Sequence, residues 1–338
     1  MINIGIIGAG RIGKLHAESI TYHIKEARVL AAADPKMDEA VSEWAKGLGI
    51  EKIYNNYRQI LDDSSIQAVL ICSSTDTHAD IAIEAIKAGK HVFCEKPISQ
   101  DLAKIHEVME ALKDSKVKFQ VGFNRRFDHN FEAVRNAVAE GRVGDVHIVK
   151  ITSRDPAAPP IEYVKVSGGM FLDMTIHDFD MVRYLTSSDV VEVYASGTAL
   201  VNPAIKDAGD IDTAIITMKL ANGALAVIDN SRKADYGYDQ RAEVFGSKGQ
   251  VAVTNDSDST AVISTADGVT GEKPLYFFLE RYMASFSKEV SLFVQAVIHD
   301  TDVPVNINDG LQPVLIAKAA KKSLDENRPV KLSEITMQ

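Results

Sequence analysis

The stretch that most restricts what this chain can become lies at its start. Ile2 to Ile7 is a short apolar, β-branched run that passes directly into Gly8-Ala9-Gly10-Arg11-Ile12-Gly13, and Ile12 to Ile24 then carries apolar residues at helical spacing. Strand, tight glycine turn and helix form the context in which a G-x-G-x-x-G motif has physical meaning. Gly8 permits the turn, Gly10 lets the backbone approach a pyrophosphate, and Gly13 lets helix and strand pack closely. The free N–H groups and the dipole at the helix N-terminus favour an anion there. Alone the motif is weak, so the residues that follow decide its meaning.

They agree with it. Val29 to Ala33 reads as a second strand ending at Asp34, somewhat more than 20 residues past the glycines, at the usual ribose position. A carboxylate there accepts hydrogen bonds from the adenosine ribose hydroxyls and repels a 2′-phosphate, which favours NAD over NADP. Arg11, a cation in the glycine turn, is the one feature that would serve a 2′-phosphate. The alternation continues with a helix from Met37 to Leu48 closed by Gly49 and a strand from Ala68 to Cys72. Next comes a helix capped by Thr75 or Thr77 that runs to Ala88, then a strand from His91 to Cys94. A helix from Leu102 to Leu112 and a strand from Lys118 to Val121 complete the run. Such alternation implies a doubly wound parallel sheet.

The strand at His91-Val92-Phe93-Cys94 ends in Glu95-Lys96-Pro97. Ligands of open α/β sheets bind outside the carboxyl ends of the strands, so Lys96 is placed to reach a cofactor's reactive end. Schiff-base chemistry, phosphate binding and polarisation of a hydroxyl are all open to a lysine so placed.

After Asn124-Arg125-Arg126 the texture changes. A helix from Phe131 to Ala139 and a strand from Val146 to Thr152 precede a proline- and alanine-rich loop, Asp155 to Pro160, and a helix from about Met174 to Leu185. Strand-like runs dominate from Val190 to Ser264, with turns at Ala221-Asn222-Gly223 and Gly246-Ser247-Lys248-Gly249, which suggest antiparallel pairing. Two helices, about Arg281 to His299 and Asp309 to Asn327, close the chain. The fold expected is α/β: a Rossmann domain over 1–122, then an α+β domain with a largely antiparallel open sheet over 123–338, its last helix free to pack back on the first.

In that second part, Asp173, His177 and Asp180 are spaced i, i+4, i+7 and would share one helix face. A histidine beside a carboxylate is a general base with an orienter, the carboxylate fixing the tautomer and stabilising the imidazolium. A surface cluster near a helix N-terminus has the same spacing. So does a metal site, but no nearby Cys or His completes a ligand shell, and no metal is expected.

The rest of the composition excludes classes. The net charge of −10 argues against nucleic acid or an anionic membrane surface as partner. No apolar run approaches the roughly 18 residues of a spanning helix, and no signal peptide precedes the first strand. Cys72 and Cys94 both fall in expected core strands and read as reduced thiols of a cytoplasmic protein.

Together, Gly8-x-Gly10-x-x-Gly13, Glu95-Lys96-Pro97 and Asp173-x-x-x-His177 resemble the Gfo/Idh/MocA oxidoreductases, over essentially the whole chain including Val305 to Leu332. Val121-Gly122-Phe123-Asn124-Arg125-Arg126-Phe127-Asp128 and Asp235-Tyr236-Gly237-Tyr238-Asp239 are similar to the branch that oxidises inositol. Asp76 departs from the proline that family members often carry in that loop. The resemblance implies NAD-dependent oxidation of a ring hydroxyl, with His177 as base, Asp173 as its orienter and Lys96 polarising the oxygen. It implies Arg126, Asp155, Asp180, Tyr236, Tyr238 and Tyr282 as polyol contacts. Around the cofactor it implies Gly8, Gly10, Arg11, Ile12, Gly13, Asp34, Ser73, Thr75, His78, Glu95 and Lys96, although His78 reads equally well as a solvent-facing helix residue, and Arg125 as a packing residue. A homotetramer is implied too. The same parts serve dehydrogenases of other sugars or sugar acids and glycosidases that retain NAD, and a non-catalytic NAD(H) sensor would share the fold.

Overall fold

The computed structural model describes residues 1–336; the last two residues of the expected second domain, 337 and 338, lie outside the described residues. The chain divides into two compact units, one of residues 1–124 with 284–312, the other of 125–283 with 313–336.

In the first unit β1 (Ile2–Ile7), α1 (Arg11–His23), β2 (Ala27–Ala33), α2 (Glu39–Gly47), β3 (Lys52–Tyr54) and α3 (Arg58–Leu61) form one half. The other half is β4 (Ala68–Ile71), α4 (Thr75–Lys87), β5 (His91–Glu95), α5 (Leu102–Lys113) and β6 (Phe119–Gly122). The six strands lie in the order β3-β2-β1-β4-β5-β6, every neighbouring pair parallel. The order reverses between β1 and β4, and ligands of such sheets bind at that switch point, outside the carboxyl ends. β4 is buried along its whole length, which is why Ala68 to Ile71 is continuously apolar instead of alternating.

The second unit opens with α6 (His129–Ala139), β7 (Val146–Arg154), α7 (Ile161–Val164), α8 (Met170–Asp173) and α9 (Ile176–Thr186). Then follow β8 (Val190–Thr198), α10 (Pro203–Asp207), β9 (Thr213–Leu220), β10 (Leu225–Ser231), β11 (Asp239–Gly246) and β12 (Gly249–Val253). A small hairpin of β13 (Val262–Thr265) and β14 (Gly268–Gly271) and the short α11 (Phe278–Arg281) complete the run. β15 (Val330–Lys331) adds the edge of a seven-stranded sheet ordered β12-β11-β7-β10-β9-β8-β15. All pairings in it are antiparallel except β7 with β10, which run parallel. β9 alternates buried and exposed residues along its length, as a sheet covered on one face requires; α6 and α9 lie side by side, α6 against β11 and β12 and α9 against β7.

Two long helices precede β15, α12 (Met283–His299) and α13 (Ile307–Glu326), the second continuing through Pro313. Val290, Phe293 and Val294 of α12, at i, i+3, i+4, enter the same core cluster as Ile4, Ile6 and Phe93. The Gln120 amide donates to the Glu289 carbonyl at 2.9 Å, and the Val121 N–H to the Val305 carbonyl at 3.0 Å. Residues 284–312 therefore belong to the core of the dinucleotide-type sheet and not to the residues that precede them.

The helix expected from about Met174 to Leu185 is present as α9, but the face it was expected to share with Asp173 is interrupted: α8 ends at Asp173 and α9 starts at Ile176. Between them the Thr175 N–H reaches back five residues to the Met170 carbonyl at 3.0 Å, while the Asp178 N–H reaches only to Thr175 at 2.9 Å. Asp173, His177 and Asp180 therefore do not share a regular helix face. Thr175, at that interruption, is fully buried, and its hydroxyl donates to Asn230 Oδ1 at 2.6 Å.

Candidate active site

The glycine turn is built as its spacing demands. Gly8 has φ +98°, and a Cβ there would sit 2.6 Å from the Ser73 nitrogen and 2.7 Å from the Cys72 carbonyl carbon. A Cβ on Gly13 would run into the Gly8 carbonyl, so the helix lies directly on the turn. Gly10, the N-cap of α1, is the reverse: a Cβ there meets nothing within 4 Å. No side chain caps α1 and no acid stands in its first turn, so its leading N–H groups remain available to an anion. Arg11, exposed, and Ile12, half-buried, occupy the first two helical positions.

Asp34 follows β2 and braces the turn: its carboxylate accepts from the Ala9 N–H at 2.8 Å and from the Lys36 N–H at 2.8 Å. A carboxylate has about four lone-pair positions, so capacity is left for ribose hydroxyls. A cavity of about 720 Å³, lined by Gly8, Asp34, Tyr57, Ser73 and Thr77 among others, adjoins it and suits a nucleoside. Open space at Gly10, uncapped N–H groups and a carboxylate at the end of β2 together fit NAD.

The loops after β4 and β5 carry the remaining expected residues. The N-cap of α4 is Ser74, not Thr75 or Thr77; the Thr77 hydroxyl donates to the Ser74 carbonyl at 2.7 Å and lies 2.7 Å from Ser73 Oγ. Asp76 takes the second helical position, where its charge suits the helix dipole. His78 does not face solvent. It is 2% exposed, with Nδ1 2.9 Å from the Pro97 carbonyl and Nε2 3.0 Å from the Ser73 carbonyl. The ring is on the face of α4 that also buries Ala79, Ile81 and Ala82. Lys96, half-buried, follows the last residue of β5. Glu95 turns its carboxylate to buried His16, 2.7 Å from Nε2. Burial pushes both cysteine thiols well above their ordinary range, as inert reduced sulfurs require.

His16, Glu95 and Glu289 bring three potential metal ligands together, the only such group among the described residues. Burial pushes Glu289 well above the usual carboxylate range, and the charge of Glu95 adds to the rise.

In the second unit a polar cluster gathers at the carboxyl ends of β7 and β10. Asp173 is held on both oxygens: Arg232 Nη1 donates at 2.9 Å and the Tyr163 hydroxyl at 2.7 Å. Buried Arg232 also lies 4.0 Å from Asp155. Burial pushes Asp155 up to about 6, assisted by Asp173 and Asp178, while Arg232 and Arg125 pull it down. His177, half-buried, stands in the first turn of α9.

Several expected polyol contacts are engaged elsewhere. Asp180 has no exposed surface, and its carboxylate takes a fork of bonds from Arg126 at 2.6 to 3.1 Å, the guanidinium lying over the Tyr184 ring. Tyr238 and Tyr282 are buried and meet edge to face at 5.8 Å, and burial pushes the Tyr238 hydroxyl up to about 12. The Tyr282 hydroxyl is buried with no hydrogen-bond partner among the described residues. Tyr236 is the exposed one; it donates to Asp239 at 2.6 Å and accepts from Arg154 at 3.2 Å. Arg125 is internal to this unit, donating to Asp178 at 2.7 Å and to Ser153 at 3.1 Å.

Arg232 and Tyr163 escaped the sequence reading. Arg232 follows β10, and Asp155 follows β7; because those two strands are parallel, with Ser231 opposite Arg154, their carboxyl ends deliver both residues to one place. The antiparallel pattern expected would have sent them to opposite edges.

A dinucleotide cradle with a lysine at its sheet edge defines an NAD-binding oxidoreductase. Residues 2–123 match the oxidoreductase family with NAD-binding Rossmann fold, and residues 131–252 the GFO/IDH/MocA C-terminal domain. The chain belongs to the Gfo/Idh/MocA oxidoreductase family. It is 48% identical over 334 residues to the myo-inositol 2-dehydrogenase of Thermotoga maritima, covering 99% of both chains. It is 44% identical to the inositol 2-dehydrogenase of Rhizobium meliloti, over 98% of this chain and 99% of that one. Among solved structures, the scyllo-inositol dehydrogenase of Lactobacillus casei with bound NAD(H) and scyllo-inositol superposes with a TM-score of 0.92 at 32% identity, covering 98% of this chain and 99% of that one.

Proposed function

We propose that this protein oxidises a ring hydroxyl of inositol to the corresponding ketone, with NAD as the oxidant. The observation that supports it most is the pinned Asp173: a carboxylate held on both oxygens, four residues before a half-buried histidine, in a chain whose cradle fits NAD. The names of its relatives point to the same substrate.

His177 takes the proton of the reacting hydroxyl, and the Asp173 carboxylate four residues before it favours the positive form of the imidazole. Arg232 and Tyr163 keep Asp173 in place. Lys96 donates to the same oxygen and stabilises the charge that develops on it. NAD, held by the Gly8 to Gly13 turn, the N-terminus of α1 and Asp34, would supply the acceptor for the carbinol hydride. An alcohol in water has a pKa far above 7, so base and cation act together. Asp155, Arg126 and Tyr236 bind the remaining hydroxyls, with Asp180, Tyr238 and Tyr282 supporting them from behind.

The sheet of the second unit carries Phe245, Ile148 and Leu225 in one row across β11, β7 and β10, each 38 to 52% exposed. An uncovered apolar row supports association of copies through this face as a homotetramer, to be measured by sedimentation.

The deciding experiment is a panel of inositol isomers and aldoses with NAD and with NADP, followed at 340 nm. Absorbance rising with myo- or scyllo-inositol and NAD is expected, and Lys96→Ala is expected to lower kcat by about 10²- to 10³-fold. Turnover of aldoses without inositols refutes the substrate; near-normal turnover in the variant removes Lys96 from the chemistry.

A further inference from the structure

Lys96 is flanked by two residues that are each held from the interior by a histidine. On one side the Glu95 carboxylate lies 2.7 Å from Nε2 of His16, a fully buried residue of α1. On the other, the Pro97 carbonyl lies 2.9 Å from Nδ1 of His78 in α4. The second nitrogen of His78 lies 3.0 Å from the carbonyl of Ser73, the residue whose own nitrogen backs the Gly8 turn. One buried ring thus spans the loop behind the cofactor turn and the loop that carries Lys96.

We propose that His78 is a positioning residue for Lys96: with its proton on Nδ1, the imidazole donates to the Pro97 carbonyl, sets the loop after β5 against the cofactor cradle and so fixes where the ammonium meets the reacting oxygen. This rests on the reading of Lys96 as the group that holds that oxygen. The ring is suited to the task because it is rigid and, when neutral, carries a single N–H donor, placed here on Nδ1. Without it the Pro97 carbonyl loses its donor, and the loop after β5 is free to shift. A displacement of about 1 Å at a reacting group costs on the order of 10²-fold in rate.

Two substitutions separate the two contacts. Asparagine places its amide nitrogen where Nδ1 lies and keeps the donor toward Pro97; glutamine places its nitrogen near Nε2 and keeps the donor toward Ser73. With NAD and the polyol or sugar that the wild type oxidises best, His78→Gln and His78→Ala are expected to lose about 10- to 100-fold in kcat, and His78→Asn to stay within about fivefold of wild type. NAD affinity, measured by calorimetry without substrate, is expected to hold within about threefold in all three. A merely structural role would not separate Asn from Gln, nor kcat from cofactor binding. Equal effects of Asn and Gln, the reverse order, unfolding of both, or a kcat loss matched by lost NAD affinity overturns the proposal. If the alanine variant does not fold, the Asn and Gln pair decides alone. Lys96→Ala is run beside them: normal turnover there refutes the reading of Lys96, whereas an inactive Lys96→Ala with unaffected His78 variants refutes only the role of His78.

Discussion

Asp155→Asn offers a direct measurement of how the polar cluster of the second unit is tuned. In the folded protein Asp155 keeps its proton up to about 6, against an ordinary value of 3.8, because burial outweighs the pull of Arg232 and Arg125. Between those two values the native state binds more protons than the unfolded chain, so stability falls as pH rises through the window, and the full cost is present above about 6. A gap of about two pH units corresponds to about 3 kcal/mol. Asparagine has no proton to lose, so the variant lacks this slope. Calorimetric melts of both proteins from pH 4 to pH 8 read the effect: the melting temperature of Asp155→Asn minus that of wild type should grow on the order of 5–10 °C from pH 4 to pH 7, given about 2–4 °C per kcal/mol for a unit of this size. A difference that stays constant across that range refutes the tuning. In parallel, an Asp155 that binds a polyol hydroxyl should show a raised KM in the variant with kcat nearly intact; a lowered kcat with unchanged KM removes it from substrate binding.

Asp34→Ser should narrow the preference for NAD over NADP by about 10- to 100-fold in kcat/KM, since it removes hydrogen bonds to a charged acceptor and a repulsion at once; a wild type already faster with NADP contradicts the ribose reading. Gly13→Ala should abolish NAD binding in a calorimetric titration, because the methyl meets a backbone carbonyl that has nowhere to go; retained affinity would mean the turn relaxes. Arg232→Met should destabilise the second unit by about 3–5 kcal/mol in urea unfolding, leaving Asp155 and Asp173 without their cation; a neutral outcome would show that water replaces the guanidinium.

What the sequence made legible was local. The glycine turn needs residues within six positions of one another, and the carboxylate at the end of the next strand follows from the strand itself; the structure forms the turn and places Asp34 against it. The misreadings depend on residues distant in the chain. His78 was indistinguishable from an exposed helix residue because its partners are main-chain carbonyls, one of them 19 residues away, which leave no mark in the side-chain pattern. The helix face that Asp173 and His177 were expected to share is interrupted at Thr175, whose hydroxyl partner Asn230 lies 55 residues away. Arg126 and Asp180 were both singled out, yet that they satisfy one another across 54 residues shows only in the fold. Arg232 stayed hidden because a single parallel pairing in a largely antiparallel sheet has no periodicity of its own.

The return of residues 284–312 to the first unit bears on how this protein is made. The sheet that cradles the cofactor is synthesised first, but Val290, Phe293 and Val294, which enter its core, emerge from the ribosome only after all the strands of the second unit's large sheet except β15 have been made. Through most of translation the nascent cofactor unit therefore lacks part of its apolar core, and a fragment cut after β6 would stay in that incomplete state. A chain truncated before α12 is therefore expected to keep the residues of the glycine turn but to lose part of the core that supports them.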